Sequence, residues 1–363
     1  MNIKKIGLTA LATTLVASSA YAAEVSVSGG AGFTFVTKDG NAAGGITDHG
    51  KGFGTDNALS FSASGEMDNG WTVSASTAFT DAAALSSNKV SVTMGSMGSF
   101  YSGNATGGHA GSYDGLVGAY EEVDDGAGTA LSTNLIGSQF DQGGIFYTAP
   151  AMEAGGASVT LHLGYAPKGN DVALAGGGSD GSATFGSATQ AGITIAHDSG
   201  ITLGIFAQEA NRNSNVTTDG DVFAGSWYAK YAMGPVSIGY GQSYTDMGVA
   251  TTGAEAVTAT KAVGTAMGLF EAEEYVISFN VNDNLSVSWA KAEDTYDAQS
   301  GPAAGSTTGD NVADATVDHK SLQAAYSMGS MSIKAYRQET SNVGYATTGG
   351  STTKNEIALG LTF

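Results

Sequence analysis

From residue 355 to the last residue, apolar and polar positions alternate one for one. Ile357, Leu359, Leu361 and Phe363 fall on one face, and Glu356, Ala358, Gly360 and Thr362 on the other. A period of two marks a strand with one greasy and one polar side. The pattern recurs along the chain. Trp71, Val73, Ala75 and Phe79 alternate with Thr72, Ser74, Ser76 and Ala78; Val159, Leu161, Leu163 and Tyr165 alternate with Ser158, Thr160, His162 and Gly164; and Tyr275, Ile277, Phe279 and Val281 alternate with Val276, Ser278 and Asn280. In the early stretch 24–36, Val25, Val27, Ala31, Phe33 and Phe35 share a face. A terminal strand leaves its backbone donors and acceptors open unless it is partnered. Pairing the last strand with the first closes the sheet, which predicts a barrel.

The connections carry the second signal. Short Asn-, Asp-, Gly- and Ser-containing turns fall at 67–70, 96–97, 152–156, 198–200, 233–234, 282–284 and 328–329, the composition that tight hairpins need. Longer polar connections lie at 38–56, 81–87, 105–142, 167–187, 210–222, 246–271, 295–318 and 341–353. Seven tight turns and eight long loops give sixteen strands of roughly nine to eleven residues, with both chain ends on the short-turn side. That sorting of connections points to an all-β, transmembrane, 16-stranded antiparallel up-and-down β-barrel. The polar faces are Ser, Thr, Gly and amides, too small to fill such a cylinder, so its lumen is expected to hold water. Trp71, Tyr165, Trp227, Tyr231, Tyr240, Tyr275, Trp289 and Phe363 lie near strand ends, where interfacial aromatic girdles belong.

Composition narrows the class further. A mean hydropathy of −0.02 is too polar for helical spans, and a barrel escapes that test because only alternate residues meet lipid. The chain has 54 Gly, 4 Pro and no Cys, without a Gly-X-Y repeat or a linker that would divide it. Lys4 and Lys5, the apolar run 6–17 and Ala20-Tyr21-Ala22 read as a signal peptide over residues 1–22, cleaved after Ala22, followed by a single barrel domain over 23–363. The protein is expected to be exported through the periplasm, where a barrel can dispense with disulfides. Removing two lysines takes the formal charge from −20 to −22, which argues against nucleic acid as a partner.

The connection 105–142 is the longest and too long to be ordinary. It carries Asp114, Glu121, Glu122, Asp124, Asp125 and Asp141, with no Lys or Arg. If this third loop folds inward, its acids face the bases that strand parity places on the inner wall: Lys89, His162, Lys230, Lys334 and Lys354. A lysine on the lipid face costs several kcal/mol at mid-membrane, which enforces the assignment. Lys291 and Arg337 have lipid-face parity near strand ends and are expected to snorkel at the rim. Opposed acids and bases set a field across a narrow gap, and the excess of acid predicts mild cation preference.

With these features assembled, the chain resembles the general diffusion porins of Gram-negative outer membranes, particularly the alphaproteobacterial, Rhodobacter type. The resemblance covers the mature chain. It rests on the sixteen strands, the long third loop, the terminal Phe363, Gly98-Ser99-Phe100-Tyr101-Ser102-Gly103-Asn104 entering that loop, and Ile145-Phe146-Tyr147-Thr148-Ala149-Pro150-Ala151-Met152 leaving it. It implies an outer-membrane location among lipid, a homotrimer, an inward-folded third loop, passive transport of small hydrophilic solutes and ions, and a barrel-assembly role for Phe363. Calcium bound by acidic loops, found in some relatives, points to Glu121, Glu122, Asp124 and Asp125 as oxygen ligands; no other cofactor is expected. The chain departs from the family in using lysines where arginines often cluster, having only Arg212 and Arg337, and in lacking the Pro-Glu-Phe-Gly-Gly signature in the third loop.

Three rival readings stand beside this one. An enzyme would need a nucleophile elbow or metal motif; Gly177-Gly178-Ser179-Asp180-Gly181 matches Gly-x-Ser-x-Gly only inside a long Gly-rich polar connection, not at a strand-to-helix elbow, and no His-Glu-x-x-His occurs. A calcium-loaded β-solenoid would need repeats of Gly-Gly-x-Gly-x-Asp, and only Gly176-Gly177-Gly178-Ser179-Asp180 comes near. A substrate-specific channel would carry an aromatic ladder in its lumen. Tyr228, Tyr336 and Phe206 have inward parity, too few and scattered for one.

Overall fold

The computed structural model describes residues 24–40, 49–80, 84–104, 108–113, 116–123, 140, 143–167, 185–212, 221–246, 269–297, 314–342 and 350–363. The expected signal peptide and its cleavage site lie outside them. The strands are β1 (Glu24–Gly40), β2 (Gly50–Glu66), β3 (Thr72–Thr80), β4 (Ala84–Thr93), β5 (Ser99–Asn104), β6 (Ile145–Thr148), β7 (Met152–Ala154), β8 (Ala157–Ala166) and β9 (Phe185–His197). They continue as β10 (Ile201–Arg212), β11 (Val222–Met233), β12 (Val236–Asp246), β13 (Leu269–Asn282), β14 (Leu285–Asp297), β15 (Ala315–Met328), β16 (Met331–Ser341) and β17 (Ser351–Thr362).

These seventeen segments form one closed antiparallel sheet of sixteen staves. β6 and β7 both pair with β8 and make a single stave broken at Pro150, whose ring nitrogen has no hydrogen to give the ladder. Ala149 N–H still donates to Leu161 O across the break (2.9 Å). Ring closure is by β1 and β17, in register from Gly30 opposite Thr362 to Gly40 opposite Thr352. It runs to the last residue: Gly29 N–H donates to Phe363 O (2.8 Å) and Phe363 N–H to Gly29 O (2.9 Å).

Several strands start earlier than the sequence reading has them, β4 at Ala84, β9 at Phe185, β13 at Leu269 and β15 at Ala315, and two further boundaries differ for a visible reason. The connection expected over 38–56 is much shorter, because β1 and β2 stay in register out to Lys38 opposite Gly50. Gly50, Gly52 and Gly54 remove side chains from the alternation, so the strand is invisible to a hydropathy pattern. The turn expected over 152–156 is confined to Gly155 and Gly156, both at positive φ (60° and 83°), after Met152–Ala154 has rejoined the ladder. That left-handed backbone is one that glycine adopts without strain.

The oily faces look outward. Phe53 (86% exposed), Ile205 (65%) and Leu322 (61%) lie on the outer wall with Val25, Val27, Phe33, Ile277 and Ile357. Burying this surface in lipid is what would stabilise it. On the outer wall Trp227, Tyr240 and Tyr275 form a chain of rings with centroids 5.4 and 4.7 Å apart. Their polar tips reach Gln242 and Glu273, the apolar-body, wet-tip arrangement of an interfacial belt. Lys291 and Arg337 do lie on this face, each paired with the glutamate two residues on, Glu293 and Glu339.

Candidate pore constriction

The inner wall divides into two unlike regions. On β1 to β4 it is chiefly small hydroxyls, where Ser26 bonds Ser62 and Ser74 bonds Ser91 (both 2.6 Å), with Asp56 and Lys89 as charged exceptions. From β6 to β17 it carries larger buried groups, among them Phe146, Gln190, Phe206, Gln208, Tyr228, Gln323, Tyr336, Gln338 and Glu356. The expectation of uniformly small inner residues fails on this second region, and the reason is the loop that leaves β5. Its described residues, 108–113, 116–123 and 140, lie against that wall.

The loop is seated first near β8 and β9. Tyr101 O–H donates to Gly108 O (2.8 Å), and His109 N–H donates to the Gln190 carbonyl oxygen, Oε1 (3.0 Å). His109 Nε2 lies 3.1 Å from Leu163 O, so that nitrogen carries the proton and donates. The His109 ring stacks on His162 of β8 at 4.9 Å. Tyr113 Oη is 2.6 Å from His162 Nδ1, and its ring stacks on Phe206 at 4.9 Å. A β-carbon at position 192 would stand 2.5 Å from that ring, so Gly192 makes the seat possible. Tyr113, Leu116 and Val123 then join Phe206, Ala224, Tyr228, Val276, Ala290 and Ala292 in an apolar cluster inside the barrel. Burial, with the neighbouring His162 second, pulls the His109 imidazole down to about 4. Burial pushes the Tyr113 phenol up to about 12.

Further along, the loop is held by its backbone. Ala119 N–H donates to Ser288 Oγ (2.7 Å), and Tyr120 and Glu121 N–H donate to Gln323 Oε1 (2.8 and 3.1 Å). Gln323 Nε2 donates back to Glu121 O (2.8 Å), and Gln338 Nε2 donates to Val123 O. Glu356 accepts Tyr120 O–H on one oxygen (2.7 Å) and Tyr336 O–H on the other (3.0 Å). Burial first, and then Glu356, raise the Tyr120 phenol well above its ordinary range.

The five predicted wall residues all share a strand face with the inner side chains. The four lysines have a common partner type that the sequence reading missed. Lys89 lies over the Tyr101 ring (3.9 Å to its centroid), Lys230 over Tyr228 (4.7 Å), Lys334 over Tyr120 (5.1 Å) and Lys354 over Tyr336 (5.4 Å). Each ammonium sits on the electron-rich face of a ring, worth about 0.5–2 kcal/mol. Lys354 also lies 3.5 Å from Glu356. Of the six loop acids, Glu121 and Glu122 are described and half-buried. Asp114, Asp124, Asp125 and Asp141 lie outside the described residues, so the calcium set is only half in view. Tyr228, Tyr336 and Phe206 point inward as parity requires, but Tyr228 and Phe206 pack within the Tyr113 cluster and the Tyr336 hydroxyl is spent on Glu356.

Gln323, Gln338, Ser288, Tyr113, Leu116 and Val123 were not legible as site residues. The only signal was a glutamine at inward parity on β15 and on β16. Their partners are some 200 residues away in the chain.

No family model matches the chain, and no curated protein matches it. Solved structures do match in fold. A porin refined at 1.8 Å resolution is 15% identical, with a TM-score of 0.62 over 94% of this chain and 100% of that one. Salmonella typhi OmpF, in complex with daunomycin, is 13% identical, with a TM-score of 0.62 over 93% and 97% of the two chains. The anion-selective porin from Comamonas acidovorans is 13% identical, with a TM-score of 0.59 over 94% and 100%. At these identities the likeness establishes the porin barrel fold.

Proposed function

We propose that the protein is a general diffusion porin of a Gram-negative outer membrane, of the alphaproteobacterial type. It would act as a homotrimer and pass small hydrophilic solutes and ions without chemistry. The observation that carries this reading is the one-sided seating of the loop. Residues 108–113 and 116–123 pack on the inner faces between β8 and β17, so that among the described residues the faces of β1 to β4 form the more open side of the lumen. Ser and Thr hydroxyls there replace part of a solute's hydration shell without holding it tightly, which suits passage better than capture.

Lys89 marks one border of that more open side, and Lys334 and Lys354 mark the other. Glu121 and Glu122 approach from the loop, with four further acids in the same segment. That balance favours mild cation selectivity. The reading as a substrate-specific channel loses its aromatic ladder to loop packing.

Vesicles loaded with the purified protein test the proposal. Swelling rates in neutral sugars should fall smoothly with sugar size, and the reversal potential in a salt gradient should have the sign of modest cation preference. Saturable uptake of a single sugar would favour the specific channel, and clear anion selectivity would refute the assigned electrostatics.

A further inference from the structure

Gln323 has all four hydrogen-bonding positions of its amide engaged. Oε1 accepts from Tyr120 and Glu121 N–H, while Nε2 donates to Glu121 O and to Ser321 Oγ (3.1 Å). It is 2% exposed on the inner face, while its neighbour Leu322 faces outward. Two flanking strands repeat the grip, through Ser288 on β14 and Gln338 on β16. Three side chains on consecutive strands therefore hold residues 119–123 by backbone atoms alone. The match on the loop side is Gly118, where a β-carbon would stand 2.5 Å from Gln323 Oε1 and 2.6 Å from Ser288 Oγ. Only a residue without a side chain lets the loop come this close to the wall.

We propose that Gln323 and Gly118 form a clamp that fixes how far the third loop stands from the β14–β16 wall, and so sets the bore of the channel. Gln323 is a positioning residue: it acts on permeating solute only through the loop. A buried amide with four partners loses them together when truncated, and the freed N–H and C=O groups of the loop then find their partners in lumen water, away from the wall. The inference rests on the channel reading above.

Single-channel recording in planar bilayers tests it, with wild type, Gln323→Leu, Gly118→Ala and Gln323→Glu compared. Band shifts on unheated gels would confirm that each barrel is closed. Wild type should show one narrow conductance level. Gln323→Leu and Gly118→Ala should both spread it over several levels with added open-channel noise, and the double variant should be no worse than either single one.

Gln323→Glu supplies a readout that lost packing does not. Its carboxylate accepts both loop N–H groups but repels Glu121 O; protonated, its hydroxyl donates to that carbonyl as the amide did. Its channel should be noisy at neutral pH and recover the narrow level on acidification, against wild type recorded at each pH. The ionisable groups facing the clamp are Tyr120, Glu121 and Glu122 on the loop, Asp56 on β2, His319 on β15, Lys334 and Tyr336 on β16, and Lys354 and Glu356 on β17; wild type carries all of them and controls for their titration. Gly118→Ala, which touches no strand pairing, keeps the test alive if a Gln323 variant does not fold. A wild type that inserts without conducting would overturn the channel reading itself. A conducting wild type with unchanged levels in folded Gln323→Leu and Gly118→Ala would overturn the clamp alone.

Discussion

Glu356 shows what single residues do in this lumen. A carboxylate buried in the wall is costly unless its oxygens are satisfied, and two tyrosine hydroxyls and Lys354 satisfy them here. Glu356→Ala leaves both phenols without their acceptor and should lower unfolding stability in detergent by about 1–3 kcal/mol, read from denaturant titrations. Tyr120→Phe, which removes one of the two bonds from the loop side, should cost less. His109 gives the pH dependence. Folded, its imidazole takes up a proton only near 4; unfolded, near 6.5. The unfolded chain therefore binds the extra proton between those values. Stability from this residue is whole above about pH 6.5 and is lost as pH falls toward 4. Melting temperatures across that window should decline in wild type and decline less steeply in His109→Gln.

At the scale of the strand, parity does nearly all the work. Alternation predicted which side chains face outward, and Val25, Val27, Phe33, Ile277 and Ile357 all lie exposed on the outer wall. It also placed Lys89, Lys230, Lys334 and Lys354 on the inner face, because a cation at mid-membrane is disallowed by its solvation energy. The same rule predicts an asymmetry between neighbours. Phe61→Lys puts a charge on the greasy face and should reduce folding into lipid vesicles by about 2–4 kcal/mol if that position lies near mid-membrane. Ser62→Lys, one residue on and facing the inner hydroxyls, should fold nearly as wild type. What parity does not reveal is whatever has no period. The glycine-rich start of β2 carries too few side chains to alternate. The loop anchors Tyr113, Leu116 and Val123 obey no repeat, and their seats on Phe206, Tyr228 and Val276 exist only once distant strands have paired. The acids of that loop stood out by charge, yet its described contacts are made chiefly by rings, aliphatics and backbone.

For the molecule as a whole, closure decides stability, since an open sheet edge has no water to satisfy it in hydrocarbon. The terminal residue takes part directly, through its two bonds to Gly29, and the Phe363 ring lies over that glycine, where a β-carbon would stand 2.7 Å away. Deleting Phe363, or replacing Gly29 by Val, should lower the yield of the closed, heat-modifiable form during refolding; unchanged yield from both would remove the terminal strand from the account of assembly. The rest of the ring then serves one purpose, an oily exterior around a lumen that, among the described residues, the loop after β5 partly fills.

Whether that lumen carries water from end to end is the claim on which the functional reading stands, and electrical recording across a planar bilayer measures it most directly. Purified, refolded protein should insert in discrete events, each adding a stable conductance that grows with salt concentration, in steps grouped by three. Barrels shown to be folded and inserted that leave the bilayer insulating would contradict it.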